Sequence, residues 1–287
     1  MPICQAKRGM RYEQNRTRHY EERYISSLLY SLRSFAMTGF LISLASLAQA
    51  EVTASYWQTS KSQHFIIYYQ EAPAGFVDEL INKAENYYNG IVDELGYRRM
   101  DFWSWDNRAK IYLYKNADDF HTDTQRSAWA GAVVSVRNRI MKTFVGQDHF
   151  FDSLLPHEMT HIIFREFIGV NTPLPLWIDE GVASSQEKSN LYARMQIAKD
   201  LVAKNQYIKL DKFSEISKPG EDTVAPDIFY SEAASLIVFL IRDKGRERFL
   251  DFSRSLRDGV DWKNALLKTY NFLTLEELEK EWKEFNK

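Results

Sequence analysis

Cysteine is nearly missing from this chain: 287 residues hold one, Cys4. A disulfide framework, cysteine-ligated zinc and a cysteine nucleophile are therefore excluded from everything past the first few residues. Charge of one sign is scarce too. The formal net charge is −2, and no window interleaves a basic block with aromatics, so nothing points to a nucleic-acid partner. Long apolar runs are also lacking. The one at residues 35–47 is too short for a comfortable membrane span, which takes about 20 residues. There is no internal repeat and no low-complexity stretch. What the chain does have is 45% hydrophobic and 14% aromatic residues, enough for a sizeable core in one or two domains.

The first 50 residues differ from the rest. They carry seven Lys and Arg (Lys7, Arg8, Arg11, Arg16, Arg18, Arg23, Arg33) against three Glu, then the apolar run, then Ala48-Gln49-Ala50 before Glu51. A basic region, a short apolar region and A-x-A form a secretory signal peptide, with cleavage expected after Ala50. The protein is then exported, to the periplasm or beyond. The basic region is long, which leaves room for a true start at Met10, and an uncleaved leader would act as a membrane anchor instead. Of 37 basic and 39 acidic residues, 30 and 36 lie beyond residue 50, so the mature part carries −6 and no cysteine. That composition suits an oxidising compartment.

The mature part reads as alternating elements. His64-Phe65-Ile66-Ile67-Tyr68-Tyr69 has the pattern of a buried strand. Val77, Leu80, Ile81, Ala84, Tyr88, Ile91 and Leu95 recur at helical spacing, and Gly96 ends the helix. Residues 110–114 form a second strand and 116–124 a short helix. Residues 130–136 and 139–145 make a hairpin around Arg137-Asn138. Beyond residue 187 the pattern is helical: 191–203, an apolar helix at 230–241, then 245–257, 261–269 and a last helix marked by Leu275, Leu278, Trp282 and Phe285. The polar lead at 51–62 and the Pro/Gly-containing stretch 214–227 read as loops. His64, His121 and His149 have no partner at ligand spacing.

One helix organises the chain. Residues 153–167 are largely apolar around His157-Glu158-Met159-Thr160-His161, with Ser153 as the expected N-cap and Pro156 in the first turn. Histidines four apart lie one turn apart on one face and can reach a single metal ion. Glu158 sits beside them and can hold a water on that metal. With six His and 21 Glu, chance alone would place HExxH in about one such chain in a hundred, so a second motif is needed. Trp177-Ile178-Asp179-Glu180-Gly181-Val182-Ala183 supplies it. Catalytic zinc takes three protein ligands and one open position. Glu180, separated from His161 by 18 residues, can be the third. Glu187, seven further on, is placed to accept a hydrogen bond from the far nitrogen of a ligand histidine. Asp179 either orients the same surroundings or is an ordinary acidic residue at a helix start.

HExxH, 18 residues, then Trp-x-x-Glu-Gly-x-Ala resembles the gluzincin metallopeptidases, and most closely the bacterial peptidase MA-like proteins. The motifs cover residues 153–187, with a looser likeness from about residue 63 onward. The resemblance implies one Zn2+ per chain held by His157, His161 and Glu180, Glu158 as general base, and Glu187 behind a ligand. It implies a hairpin whose edge strand borders the cleft, although a hairpin that merely completes the sheet would look the same. It implies an oxyanion donor from a later helix. Tyr230, in Phe229-Tyr230-Ser231-Glu232-Ala233-Ala234, is the candidate, the alternative being a core tyrosine. Aminopeptidase relatives carry a Gly-x-Met-Glu-Asn signature at the hairpin. Ala130-Gly131-Ala132-Val133-Val134 has no such glutamate, which favours an endopeptidase.

The fold expected is α+β and zincin-like. A small, mostly antiparallel sheet packs on the HExxH helix (residues 51–170), and a helical half follows (171–287). The expected activity is zinc-dependent hydrolysis of a peptide or protein. The alternative is an envelope module that binds zinc without turnover, for which an intact Glu158 would have no use.

Overall fold

A computed structural model describes residues 57–97, 103–127, 130–221 and 224–287. The expected leader lies outside these. Five strands, β1 (Gln58–Lys61), β2 (Phe65–Tyr69), β3 (Ala109–Tyr114), β4 (Ala132–Ser135) and β5 (Ile140–Phe144), form one sheet in the order β1-β2-β3-β5-β4. β1–β2 and β4–β5 are antiparallel, whereas β2–β3 and β3–β5 are parallel. The sheet is thus mixed, which corrects the mostly antiparallel expectation. β2 and β3 run parallel because helix α1 (Phe76–Glu94) carries the chain from the end of β2 back to the start of β3. A helical crossover of that length makes its two strands parallel.

Alternation then sorts the sheet's faces. Phe65 and Ile67, Ala109, Ile111 and Leu113, and Met141 are buried on one face, in register across the three central strands. They share a core with Leu80, Ala84, Tyr88 and Ile91 of α1 and with the apolar side of α3 (Leu155–Ile168), the HExxH helix. On the opposite face Tyr68 stacks on Tyr112. α2 (Ala117–Thr124), capped by Asn116, joins β3 to β4.

The second half is helical: α4 (Leu176–Ser184), α5 (Lys188–Ala203), α6 (Leu210–Phe213), α7 (Pro226–Val238), α8 (Arg246–Arg257), α9 (Trp262–Tyr270) and α10 (Leu275–Phe285). Its apolar residues belong to the same core cluster as the sheet. A small mixed sheet followed by helices is compatible with a zincin-like fold. Among the described residues no helix is long and apolar enough to cross a membrane.

The entry to α3 departs from expectation. The helical path begins at His149 (φ 53) and runs through a wide π-turn, Phe150–Leu154, before α3 proper. Ser153 is inside this turn and caps nothing. Pro156 has no N–H, so the Asp152 carbonyl four residues back loses its usual helical donor. The Ser189 hydroxyl donates to that carbonyl instead, at 3.1 Å.

Candidate metal centre

Two helices bring three ligand-type side chains to one point. His157 and His161 project from one face of α3, and Glu180 from α4 meets them. The two Nε2 atoms are 3.1 Å apart, and Glu180 Oε2 is 3.4 Å from that of His157 and 3.7 Å from that of His161. A tetrahedral ion with arms of about 2.0–2.1 Å keeps its ligand atoms roughly 3.3 Å apart. The three observed edges bracket that value. The side chains are 14–18% exposed, so the group is largely buried but not sealed from solvent.

The far nitrogens bear on how this group could hold a cation. His157 Nδ1 lies 2.8 Å from Glu187 Oε1, and His161 Nδ1 lies 3.4 Å from Asp179 Oδ1. A carboxylate at each Nδ1 keeps the proton there, so each Nε2 offers a lone pair. Two lone pairs at 3.1 Å beside an ionised carboxylate repel one another unless positive charge sits among them. The titration of the groups says the same. Burial opposes charge on both imidazoles. Even so, Glu180 and Glu187 raise the pKa of His157, and Asp179 and Glu180 raise that of His161 well above the usual histidine range. Burial likewise opposes charge on Glu180, yet the two histidines hold its carboxyl far below the carboxylate range. A bound metal would displace the protons this cluster attracts.

The carboxylates behind the histidines are themselves anchored. Glu187 is not two turns along α4, as its spacing suggested. α4 ends at Ser184, and Glu187 lies in the bend that opens α5. There it is almost fully buried and accepts from Ser153 Oγ at 3.0 Å, Asn190 Nδ2 at 2.9 Å and Arg194 Nη2 at 3.0 Å. Burial pushes its pKa up, but His157, Asn190 and Arg194 hold it down to about 2. Asp179 Oδ2 accepts from Arg165 Nε at 3.0 Å and Nη2 at 2.9 Å. Sequence reasoning missed both arginines. The signal was available: Arg165 follows His161 by four residues and Arg194 follows Glu187 by seven, both helical spacings.

Glu158 is half-buried beside His157, and its carboxylate makes no hydrogen bond with the described residues. Tyr230 is also half-buried. Its phenol is pushed up to about 12, first by burial and then by the charge of Glu180, with Glu187 and Glu158 adding to it. The Arg194 guanidinium lies 5.5 Å from its ring centroid. Gly181 is what brings α7, and Tyr230 with it, so near. A Cβ at Gly181 would stand 2.5 Å from the Ala233 carbonyl oxygen, so α4 and α7 meet backbone to backbone. β4 is an edge of the sheet, as the hairpin reading required. Its turn is braced to α3 through Arg139, whose Nη1 donates to Glu166 Oε1 at 2.5 Å. The Trp103 indole donates to the other oxygen of Glu166 at 2.8 Å. Among the described residues the remaining histidines lie outside this group. His64, for one, is buried against Glu85.

The HExxH helix and a carboxylate from the next helix thus form a His/His/Glu group that could hold a metal ion. The model of the Peptidase MA superfamily matches residues 104–287, well over half of the chain, and the chain belongs to that superfamily. A search of curated proteins returns no match. The superfamily is typically zinc-dependent and supports a peptidase acting on peptide or protein substrates.

Proposed function

We propose that this chain is a zinc-dependent peptidase of the gluzincin type, an endopeptidase working outside the cytoplasm. The observation that carries the reading is the convergence of two imidazole lone pairs and a carboxylate, at separations a four-coordinate ion fits. His157, His161 and Glu180 hold the ion, with Glu187 and Asp179 fixing the histidine tautomers. Zinc, when bound there, supplies a water acidic enough to be deprotonated near neutral pH and a Lewis acid for the scissile carbonyl. Glu158, free of competing hydrogen bonds, takes the proton of the attacking water on its carboxylate and passes it to the leaving amine. Tyr230, whose phenol stays protonated, donates a hydrogen bond to the oxygen that gains charge in the transition state. β4 offers an edge along which an extended peptide can lie. The segment 130–134 carries no glutamate to hold a free amino terminus, which supports internal cleavage. Export rests on the leader, with Glu51 as the mature N-terminus.

The test separates ion from chemistry. Purified protein should hold one zinc per chain, and a His157→Ala/His161→Ala double variant should hold none. Glu158→Gln keeps size and polarity but not basicity. It should retain zinc while turnover of a peptide library falls at least ~10²-fold. Full zinc occupancy in the double histidine variant would sink the ligand assignment. Undiminished turnover in zinc-loaded Glu158→Gln would remove the assigned base.

A further inference from the structure

Behind each histidine of the centre stands a carboxylate, and behind each carboxylate stands an arginine. His157, Glu187 and Arg194 form one chain of contacts. His161, Asp179 and Arg165 form the other. Both arginine side chains are only 17% exposed, so their charge acts on these partners at short range with little screening by water. We propose that Arg165 and Arg194 are positioning residues that set how tightly the centre holds its ion, and that they do so by different means. The proposal rests on the zinc reading above.

Arg165 works through the shape of its guanidinium. Nε and Nη2 both donate to Asp179 Oδ2, and Nη1 donates to the Thr172 carbonyl at 2.7 Å. Thr172 lies in the connection between α3 and α4, so one planar group pins α3, that connection and α4 together. With Oδ2 occupied, Asp179 Oδ1 is buried with no hydrogen-bond partner nearer than His161 Nδ1 at 3.4 Å. Its orientation toward the imidazole therefore depends on Arg165. A lysine ammonium is a single point and cannot serve Asp179 and the Thr172 carbonyl in that planar arrangement.

Arg194 works through its charge. Only Nη2 touches Glu187, at 3.2 and 3.0 Å from the two oxygens. Ser153 and Asn190 already orient that carboxylate. What Arg194 adds is a positive charge beside a buried negative one, and an ammonium can supply that. The same guanidinium lies over the Tyr230 ring, so it also borders the place assigned to the oxyanion donor.

The experiment measures the zinc dissociation constant by chelator competition on protein shown to be folded, independently of turnover. The variants are Arg165→Lys, Arg165→Met, Arg194→Lys and Arg194→Met, each also made with Asp179→Asn or Glu187→Gln on its own side. Loss of such an outer partner typically weakens metal binding about 10–100-fold. Arg165→Met and Arg165→Lys should both fall in that range. Arg194→Met should weaken binding while Arg194→Lys restores it. Arg194→Met should add nothing once Glu187 is Gln, and Arg165→Met nothing once Asp179 is Asn. If Arg165→Met does not fold, Arg165→Lys and Asp179→Asn test the same chain of contacts. Unchanged zinc affinity in the arginine variants would overturn the proposal while leaving the zinc reading intact. Full additivity with the carboxylate variants would also overturn it, because the arginines would then act on the fold alone. Absence of zinc uptake by the unaltered protein would overturn the zinc reading itself.

Discussion

Two buried glutamates, one beside helix α7 and one on it, meet opposite fates. Near the Tyr230 side, Glu187 is held ionised, with its pKa down at about 2. Two residues beyond Tyr230, on the roughly opposite side of the helix, Glu232 is fully buried with its pKa pushed up to about 8. Burial works in the same direction on both. The difference lies in what surrounds them. Glu187 has an imidazole, an arginine, an amide and a hydroxyl. Both Glu232 oxygens share one backbone donor, Ile208 N–H, at 3.1 Å. The charge of Glu279, another carboxylate, raises the pKa of Glu232 further. A buried acid is thus charged where cations and donors converge and neutral where they do not. One helix separates a region built to attract a cation from a region built to be quiet.

The comparison is broken most severely from the Tyr230 side. Tyr230→Phe should lower turnover by about 10²–10³, the cost of one oxyanion donor, roughly 2.7–4 kcal/mol. Zinc content, by metal analysis, and the pH dependence of stability should not change. Turnover close to that of the unaltered protein would assign the donor role elsewhere. Next comes the contact that joins the two regions. Gly181→Ala forces a Cβ against the Ala233 carbonyl and should destabilise the fold by about 1–3 kcal/mol in urea unfolding. Zinc binding should weaken with it, because Glu180 is the adjacent residue. An unchanged unfolding midpoint would mean that the two helices part at little cost.

A pH dependence of stability sharpens the comparison. The folded pKa of Glu232, about 8, lies above its unfolded value of 4.5. Its contribution to stability is therefore fully present below about pH 4.5 and is lost as pH rises through 8. Over that window it adds a downward slope approaching ~1.4 kcal/mol per pH unit. Glu232→Gln should remove that slope, read from urea unfolding at a series of pH values, while leaving zinc content alone. If the slope survives in the variant, another group is responsible and Glu232 is not the neutral acid of the pair.

Much of this was legible in the sequence. Helical periodicity placed α1 and the later helices, because an amphipathic face repeats often enough to be read. The HExxH spacing together with the Trp-x-x-Glu-Gly-x-Ala motif pointed to His157, His161 and Glu180, because a metal fixes relative positions so narrowly. What escaped has physical reasons. β1 is polar, and its place depends on backbone pairing with β2 that leaves its side chains mostly outward. The parallel strands escaped because a strand's own residues carry only its local pattern, whereas direction is set by the connection between strands. Glu187 was found by counting turns along a helix that ends before it. It reaches His157 because the chain bends, and no periodicity reports a bend. Ser153 looks like a cap in sequence, but Pro156 three residues later sits beyond a widened turn, and the hydroxyl goes to Glu187. Arg165 and Arg194 are visible only once their carboxylates are in place.

The backbone contact at Gly181 bears on which ion the centre admits. Ordinary helix crossings contain a layer of side chains that changes rotamer and gives under load. At Gly181 that layer is missing between α4 and α7, and Arg165 clamps α4 to α3 on the other flank. Glu180 therefore has little compliance with which to move away from the two imidazoles. Calcium, with arms of about 2.3–2.6 Å and an appetite for six to eight oxygens, would need the ligand triangle to spread. The crossing resists that spreading mechanically. On the zinc reading proposed above, selection against the larger ion would then rest in part on a glycine that touches no metal.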